Sequence, residues 1–483
     1  GVVQMPTSAG KTRSVESVLR SGFLSHRARL AVIVAPFRAL CHEIAAGFRK
    51  SFSGEDVKIN ELTDVLQADF LDAIAEFLGA GVPSRKSILV LTPEKFLYIL
   101  RQSSELVNNI GIVVYDEAHQ FDSGSRGVIY ELLLTQIKSL LPATAQTILI
   151  SAVIRNGRAV ADWLIGTQAE IADGTSLLPT KRSIAFASWI EHLGQLVFFD
   201  GSNFQNYDYF VPRVIEGTAL TVSRRENPRN FPERNEASDV ALYFGVRLAP
   251  MGAVAIFCGT KATSSGMAKR AVEIYRRGYQ ASAPSEASDP QEITALHHLI
   301  AENFGHASVL ARAAILGVFV HHGNTPQGIR LCVEHAMQSG KIKLVACTST
   351  LAQGVNLPIR YLIVCGTRQG AEVIKVRDFQ NLIGRAGRAG MHTEGLVIFA
   401  DPGVYDSGGG QFTASVNLLS PEHSGDTTSS LLGVLRPFES RLGQIVPLTW
   451  QELAVLILSS EDERSRFALE DWRMNVLCKK ICG

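Results

Sequence analysis

The sequence predicts an α/β protein: two tandem doubly wound parallel-sheet domains followed by a partial, mostly helical C-terminal region. Three observations carry this. Short β-branched apolar runs alternate with helix-length stretches through residues 1–178, which is the βαβ pattern of a parallel sheet. The same alternation resumes after a Gly-, Ser- and Pro-containing stretch at 174–181 and continues to residue 402. Beyond that point the pattern fades.

In the first domain, 1–178, the β-branched runs at 30–35, 87–91, 110–115 and 147–150 read as buried parallel strands, with 1–4 as the strand that supports the phosphate loop. Helices are expected at 12–19 and 68–78. In the second domain, 179–402, the expected strands are 253–258, 317–321, 343–346, 361–365 and 395–399, with a helix at 329–339. Two stretches interrupt it and read as surface insertions: 195–236, whose 224–236 portion is rich in Asn, Pro and Arg, and 280–305, whose 284–291 portion is polar and turn-rich. Residues 403–483 read as an accessory region, with loops at 407–410 and 424–430 and helices at 450–458 and 467–477. That fits the start of a winged-helix or helical domain. No repeat of solenoid spacing is present.

Composition bounds the function. Of 483 residues, 46% are hydrophobic and 19% charged, a globular and not a disordered balance. The formal net charge of +1 leaves no overall basic field, so nucleic-acid binding has to come from a local groove. The cysteines form no CxxC pair and several lie in apolar runs, which reads as buried free thiols in a reducing compartment. Cys478 and Cys482, with His423 distant in sequence, make a poor zinc set. No apolar run is long enough to span a bilayer and no signal peptide is seen, so no membrane partner and a cytoplasmic location are expected. The chain opens without Met, ten residues before a phosphate loop closes, and reads as a fragment or the ordered part of something longer.

Chemistry concentrates at three places. Met5-Pro6-Thr7-Ser8-Ala9-Gly10-Lys11-Thr12 follows a strand and opens a helix, the context of a phosphate loop. The backbone of Thr7, Ser8, Ala9 and Gly10 presents N–H groups to phosphates at a helix N-terminus. Lys11 supplies a cation, and the Thr12 hydroxyl is placed for Mg²⁺. The second place is the strand 110–115 followed by Asp116-Glu117-Ala118-His119. Asp116 would hold Mg²⁺, Glu117 would orient or deprotonate the attacking water, and His119 could relay contact to the other domain. The third is Gln380-Asn381-Leu382-Ile383-Gly384-Arg385-Ala386-Gly387-Arg388, whose two arginines lie three apart, on one helical face. ATP and Mg²⁺ are therefore the expected cofactors. A P-loop metabolite kinase or transport ATPase would have no use for the third element.

In this order the three elements resemble motifs I, II and VI of superfamily two DEAH-box helicases. Other stretches are similar to the remaining motifs: Ala35-Pro36-Phe37-Arg38-Ala39-Leu40 to Ia, Thr92-Pro93-Glu94-Lys95 to Ib, Ser151-Ala152-Val153 to III, and Phe257-Cys258-Gly259-Thr260-Lys261 to IV. Thr348-Ser349-Thr350-Leu351-Ala352-Gln353-Gly354-Val355-Asn356-Leu357-Pro358 is similar to V, placing Gly354 and Asn356 at the nucleotide. The run ending His321-His322-Gly323, the Gly-Val-Asn-Leu-Pro ending and Ile154-Arg155-Asn156 before Ala161-Asp162-Trp163-Leu164 resemble the Ski-two-like group.

The resemblance implies RecA-like domains and Lys11, Asp116, Glu117, His119, Gln380, Arg385 and Arg388 as catalytic residues. It places the strand backbone on Arg38, Thr92, Pro93, Thr260, Lys261, Thr348 and Ser349. The partner would be single-stranded or partly duplex nucleic acid, DNA or RNA, tracked 3′ to 5′. A hairpin at 367–371, between flanks 361–366 and 372–377, would be the duplex-splitting wedge. Two departures stand out: the upstream adenine-reading element is absent, and Val153 lacks the hydroxyl usual in motif III. Such helicases also serve in antiphage systems with a nuclease effector, as in Hachiman-type defence. That sets a second expectation, a nucleotide-gated scaffold that controls a protein partner. His321 and His322, adjacent on a strand, must point to opposite faces and so form no metal pair.

Overall fold

The computed structural model describes residues 1–5, 10–62, 85–102, 104–117, 120–121, 124–151, 156–174, 182–200, 204, 206–348, 357, 359–369, 372–384, 386, 394–420, 423 and 429–430. The helices expected at 68–78, 450–458 and 467–477 lie outside them.

The first sheet holds seven parallel strands: β1 (Val2–Gln4), β2 (Leu30–Val34), β3 (Val57–Leu62), β4 (Lys86–Leu91), β5 (Ile110–Tyr115), β6 (Gln146–Ser151) and β7 (Ile171–Asp173). Their order across the sheet is β3-β4-β2-β5-β6-β1-β7. Every residue of β2 is buried, as the unbroken Leu-Ala-Val-Ile-Val run requires of a strand covered on both sides. One face is covered by α1 (Lys11–Leu24) and α2 (Arg38–Ser51) through Leu19, Phe23, Ile44 and Phe48. The other face is covered by α3 (Pro93–Gln102), α5 (Gly124–Leu140) and α6 (Gly157–Leu164) through Phe96, Ile99, Leu133, Leu134 and Leu164, while α4 (Ser104–Asn109) leads into β5. This is the doubly wound arrangement the sequence predicts.

Parallel register fixes where the loops fall. Val34 is aligned with both Leu91 and Tyr115, and Gln4 with Ser151. The strand ends before Lys11, Arg38, Thr92 and Asp116 therefore share the carboxyl edge, where open α/β sheets place their ligands.

The second sheet has eight strands: β8 (Arg182–Ile190), β9 (Leu193–Phe199), β10 (Tyr209–Ile215), β13 (Val254–Phe257), β14 (Val318–His321), β15 (Leu344–Cys347), β16 (Tyr361–Val364) and β19 (Gly395–Phe399), in the order β10-β9-β8-β19-β16-β13-β15-β14. β11 (Thr218–Leu220) and β12 (Arg229–Phe231) form a separate hairpin. One face is covered by α7 (Ala237–Leu248), α8 (Lys261–Arg276) and Ala313 of α10 (Val309–Ile315). The opposite face is covered by α9 (Pro290–Phe304), α11 (Gln327–Gln338), α12 (Val376–Ile383) and Leu418 of α14 (Gly410–Leu419), with α13 (Pro402–Asp406) at the end of β19.

Both stretches expected as surface insertions are structural. Within 195–236, β9 and β10 extend the sheet antiparallel to β8, with Phe186 opposite Val197 and Phe198 opposite Tyr209. Phe186, Val197 and Phe199 belong to the core. Within 280–305, α9 begins at Asp289, whose carboxylate caps it, and sends Ile293, Leu296 and Ile300 into the same core. The polar and turn residues that suggested insertions lie at the edges of these elements, not through them. The exposed edge strand β10 carries Pro212 and a register shift between Val211 and Ile215, which discourage further pairing.

Candidate nucleotide site and nucleic-acid track

Gly10 is the hinge of the first site. Its φ of 97° is left-handed, and α1 starts at the next residue. A Cβ there would meet nothing within 4 Å, so the backbone angle and not crowding demands glycine. The turn puts Lys11 and Thr12 in the first turn of a 14-residue helix, with the N-terminal dipole behind them.

Opposite stands the end of β5. The Asp116 N–H donates to Val34 O at 2.9 Å, which keeps Asp116 in line with the sheet. The chain then turns sharply: Glu117 has φ 48°, a conformation that a non-glycine residue adopts rarely and that clusters at functional sites. The Glu117 N–H donates to Asp116 Oδ1 at 3.0 Å, and the Tyr130 hydroxyl donates to Asp116 O at 3.3 Å. The turn brings Glu117 Oε1 to 3.8 Å from Lys11 Nζ. The two halves of the expected site, 106 positions apart in sequence, thus meet.

Two adjacent carboxylates face one ammonium. Burial, then the negative charge of Glu117, pushes the Asp116 carboxyl up to about 7, with Lys11 opposing. This is an anionic excess that a divalent cation would relieve. Carboxylate and hydroxyl oxygens are the hard ligands Mg²⁺ prefers, so Asp116 and Thr12 fit the ion. Among the described residues no group of three or more His, Cys, Asp or Glu could hold a metal, so Mg²⁺ here would depend on phosphate and water oxygens as well.

The expected track residues of the first domain follow strand ends. Arg38 opens α2 and is exposed, while Thr92 is buried between β4 and Pro93, the first residue of α3. In the second domain Thr260 is the N-cap of α8, its hydroxyl oxygen accepting from the Thr263 N–H at 3.1 Å. The exposed Lys261 donates from Nζ to Asn324 Oδ1 at 2.8 Å. Thr348 follows β15, and its N–H donates to His321 O at 3.2 Å. Register aligns Phe257, Cys347, Val364 and His321, so all of these lie on one carboxyl edge.

Residues 1–160 match the DEAD/DEAH box helicase family, and residues 294–390 match the helicase conserved C-terminal domain. The chain carries a DEAD/DEAH helicase domain and a helicase C-terminal domain. It is 24% identical over 401 residues to Hachiman protein HamB of Bacillus cereus, covering 83% of this chain and 35% of that protein. It is 25% identical over 429 residues to the ATP-dependent DNA helicase Hel308 of Methanocella arvoryzae, covering 87% of this chain and 50% of that protein. To the human Helicase POLQ-like protein it is 27% identical over 403 residues, covering 82% of this chain and 33% of that protein. The chain thus spans a third to a half of the length of these relatives.

Within this DEAD/DEAH helicase pair, Gln380 lies near the end of α12 and its side-chain amide donates to Leu418 O at 2.8 Å. The helix stops at Ile383, capped by Gly384, before the arginines are reached. Thr7, Ser8, Ala9, His119, Ser349, Gly354, Asn356, Arg385 and Arg388 lie outside the described residues. The hairpin expected near 367–371 has β17 (Arg368–Gln369) antiparallel to β18 (Glu372–Val373), with Arg368 opposite Val373; its tip at 370–371 lies outside the described residues. At its base the Ile374 N–H donates to Thr367 O at 2.8 Å. Gly259, buried with φ 67°, lies directly beneath: a Cβ there would be 2.2 Å from Arg368 O.

His321 and His322 do face opposite sides, His321 toward Glu334 of α11 and His322 toward Ser265 of α8. Cys41, Cys258, Cys347 and Cys365 are buried free thiols, and Cys332 is exposed. No helix among the described residues is long and apolar enough to cross a membrane. Sequence reasoning missed Tyr130 under Asp116 and the Ser265–His322–Asn324 contacts. Neither has a recognised local pattern: Tyr130 reaches back 14 positions from the following helix, and Ser265 meets His322 across 57 positions.

Proposed function

We propose that this chain hydrolyses ATP between its two helicase domains and uses the cycle to move along a nucleic-acid strand, 3′ to 5′, separating duplex. The observation that supports this most is the meeting of Lys11 and Glu117 at 3.8 Å on the carboxyl edge of the first sheet. Thr7, Ser8, Ala9, Gly10, Lys11 and Thr12 would bind the phosphates. Thr12 and Asp116 would hold Mg²⁺, which when bound neutralises charge on the phosphate oxygens. An arriving phosphate gives Lys11 a second anionic partner and leaves Glu117 available to orient a water and take its proton. Gln380, Arg385 and Arg388 would reach the phosphates from the second domain, with Gly354 and Asn356 beside the nucleotide and His119 linking the domains.

Arg38, Thr92, Pro93, Thr260, Lys261, Thr348 and Ser349 would hold the strand by its phosphates. Such binding is indifferent to sequence and sensitive to salt. The relatives named as DNA helicases favour DNA. The hairpin at 367–371 would part the duplex.

A second reading is favoured by the likeness to a Hachiman protein. In it the chain is a nucleotide-gated scaffold that binds nucleic acid and controls an effector, such as a nuclease, in antiviral defence. Strand displacement on a tailed duplex separates the two: ATP-dependent displacement supports the helicase, and strand-stimulated ATP turnover without displacement supports the gate. Absence of strand-stimulated turnover rejects both.

A further inference from the structure

The paired histidines after β14 are not absorbed by the nucleotide site. His321 is 1% exposed, and its Nε2 lies 2.6 Å from Glu334 Oε1, tying the end of β14 to α11. His322 is 7% exposed and points to the other face of the sheet. Its Nδ1 lies 3.2 Å from the backbone nitrogen of Asn324, and its Nε2 lies 2.9 Å from Ser265 Oγ on α8.

The backbone N–H of Asn324 can only donate, so Nδ1 must accept and carry no proton. Nε2 then carries the proton and donates to Ser265 Oγ. The Nδ1 contact needs the neutral ring, whereas the Nε2 contact needs only the Nε2 proton. Burial, with Lys261, His321 and Arg330 nearby, holds His322 below its usual range and keeps it neutral.

The turn that His322 fixes touches Lys261, the first residue of α8. Asn324 Oδ1 accepts from Lys261 Nζ at 2.8 Å, and a Cβ on Gly323 would lie 3.6 Å from Lys261 Cε. The lysine stem lies across the turn with its ammonium pinned at one end. A free lysine side chain costs about 2 kcal/mol of rotamer entropy to order. Here the Asn324 contact supplies part of that ordering before any phosphate arrives.

We propose that His322 is a positioning residue: with Ser265 and Asn324 it holds the Lys261 ammonium at the carboxyl edge of the second sheet, preset for a strand phosphate. The inference rests on Lys261 being a strand contact. It assigns His322 no contact with the strand.

The test is single-strand binding by the full chain, measured as log affinity against log salt. Lys261→Ala should flatten the slope by about 0.7, the value for one phosphate contact on a single strand. His322→Ala and Asn324→Ala should each weaken binding about 5-fold and flatten the slope in the same direction. Each double variant with Lys261→Ala should bind no more weakly than Lys261→Ala alone, because the partners act through one cation. Asn324→Ala leaves the His322 ring contacts in place, so a folding defect of His322→Ala does not decide the result. The proposal is overturned if Lys261→Ala flattens the slope while Asn324→Ala and a folded His322→Ala keep the parental slope, or if the double variants lose affinity additively. If Lys261→Ala itself leaves the slope unchanged, the strand role of Lys261 falls, and the inference with it.

Discussion

Replacing Asp116 by Asn should stabilise the nucleotide-free first domain above pH 7 while removing the carboxylate proposed to hold Mg²⁺. The carboxyl is held from its usual 3.8 up to about 7, first by burial and then by Glu117. Between those two values the folded state binds a proton that the unfolded state has lost, so stability falls as pH rises through the window. Above pH 7 both states are ionised, and the fold carries the whole cost. A shift of about three units corresponds to about 4 kcal/mol; partial exposure of the carboxylate to solvent reduces the realisable part to about 2 kcal/mol. Asn keeps the shape without the charge. In amide hydrogen exchange at pH 8, the protected amides of β5 should exchange about 30-fold more slowly in Asp116→Asn than in the parent. The advantage should shrink to about half near pH 5.5 and vanish below pH 3.8, where the folded and unfolded parent both hold the proton. Equal protection at pH 8, or a variant less protected at both pH values, would refute the reasoning.

Other expectations follow from the same geometry. Lys11→Ala and Glu117→Gln should abolish ATP turnover, while Glu117→Gln still binds ATP in an equilibrium titration; robust turnover by Glu117→Gln removes it from the chemistry. Gly259→Ala should destabilise the second domain by about 2 kcal/mol or more, because a left-handed φ and a backbone contact at 2.2 Å both oppose a Cβ. A urea midpoint equal to the parent's would show that the hairpin base yields freely. Shortening residues 367–371 should abolish strand displacement with strand-stimulated ATP turnover intact, and unchanged displacement would rule the hairpin out as a wedge.

Much of the architecture was legible because buried parallel strands leave unbroken apolar runs. β2, β5, β13, β15, β16 and β19 all fall on such runs. The phosphate loop and the Asp116-Glu117 pair were legible for a related reason: each follows a strand, and parallel register carries strand ends to one edge. What escaped was long-range. β9 and β10 escape because the polar 224–236 stretch masks a sheet extension whose partner, β8, is recognisable only once β19 lies beside it. α9 was missed because its cap, Asp289-Pro290, looks locally like a turn. The φ of Glu117 and the Ser265 partner of His322 belong to the folded chain, and no sequence pattern announces them.

The most direct test of a motor built from both domains is ATP turnover by the parent and by Arg385→Ala, each with and without a single strand. A two-domain site predicts strand-stimulated turnover in the parent and a loss of about 10³-fold or more in the variant with ATP binding retained. Equal turnover by the two would mean that the first domain completes its own active centre, and the second contributes no charge to the reaction.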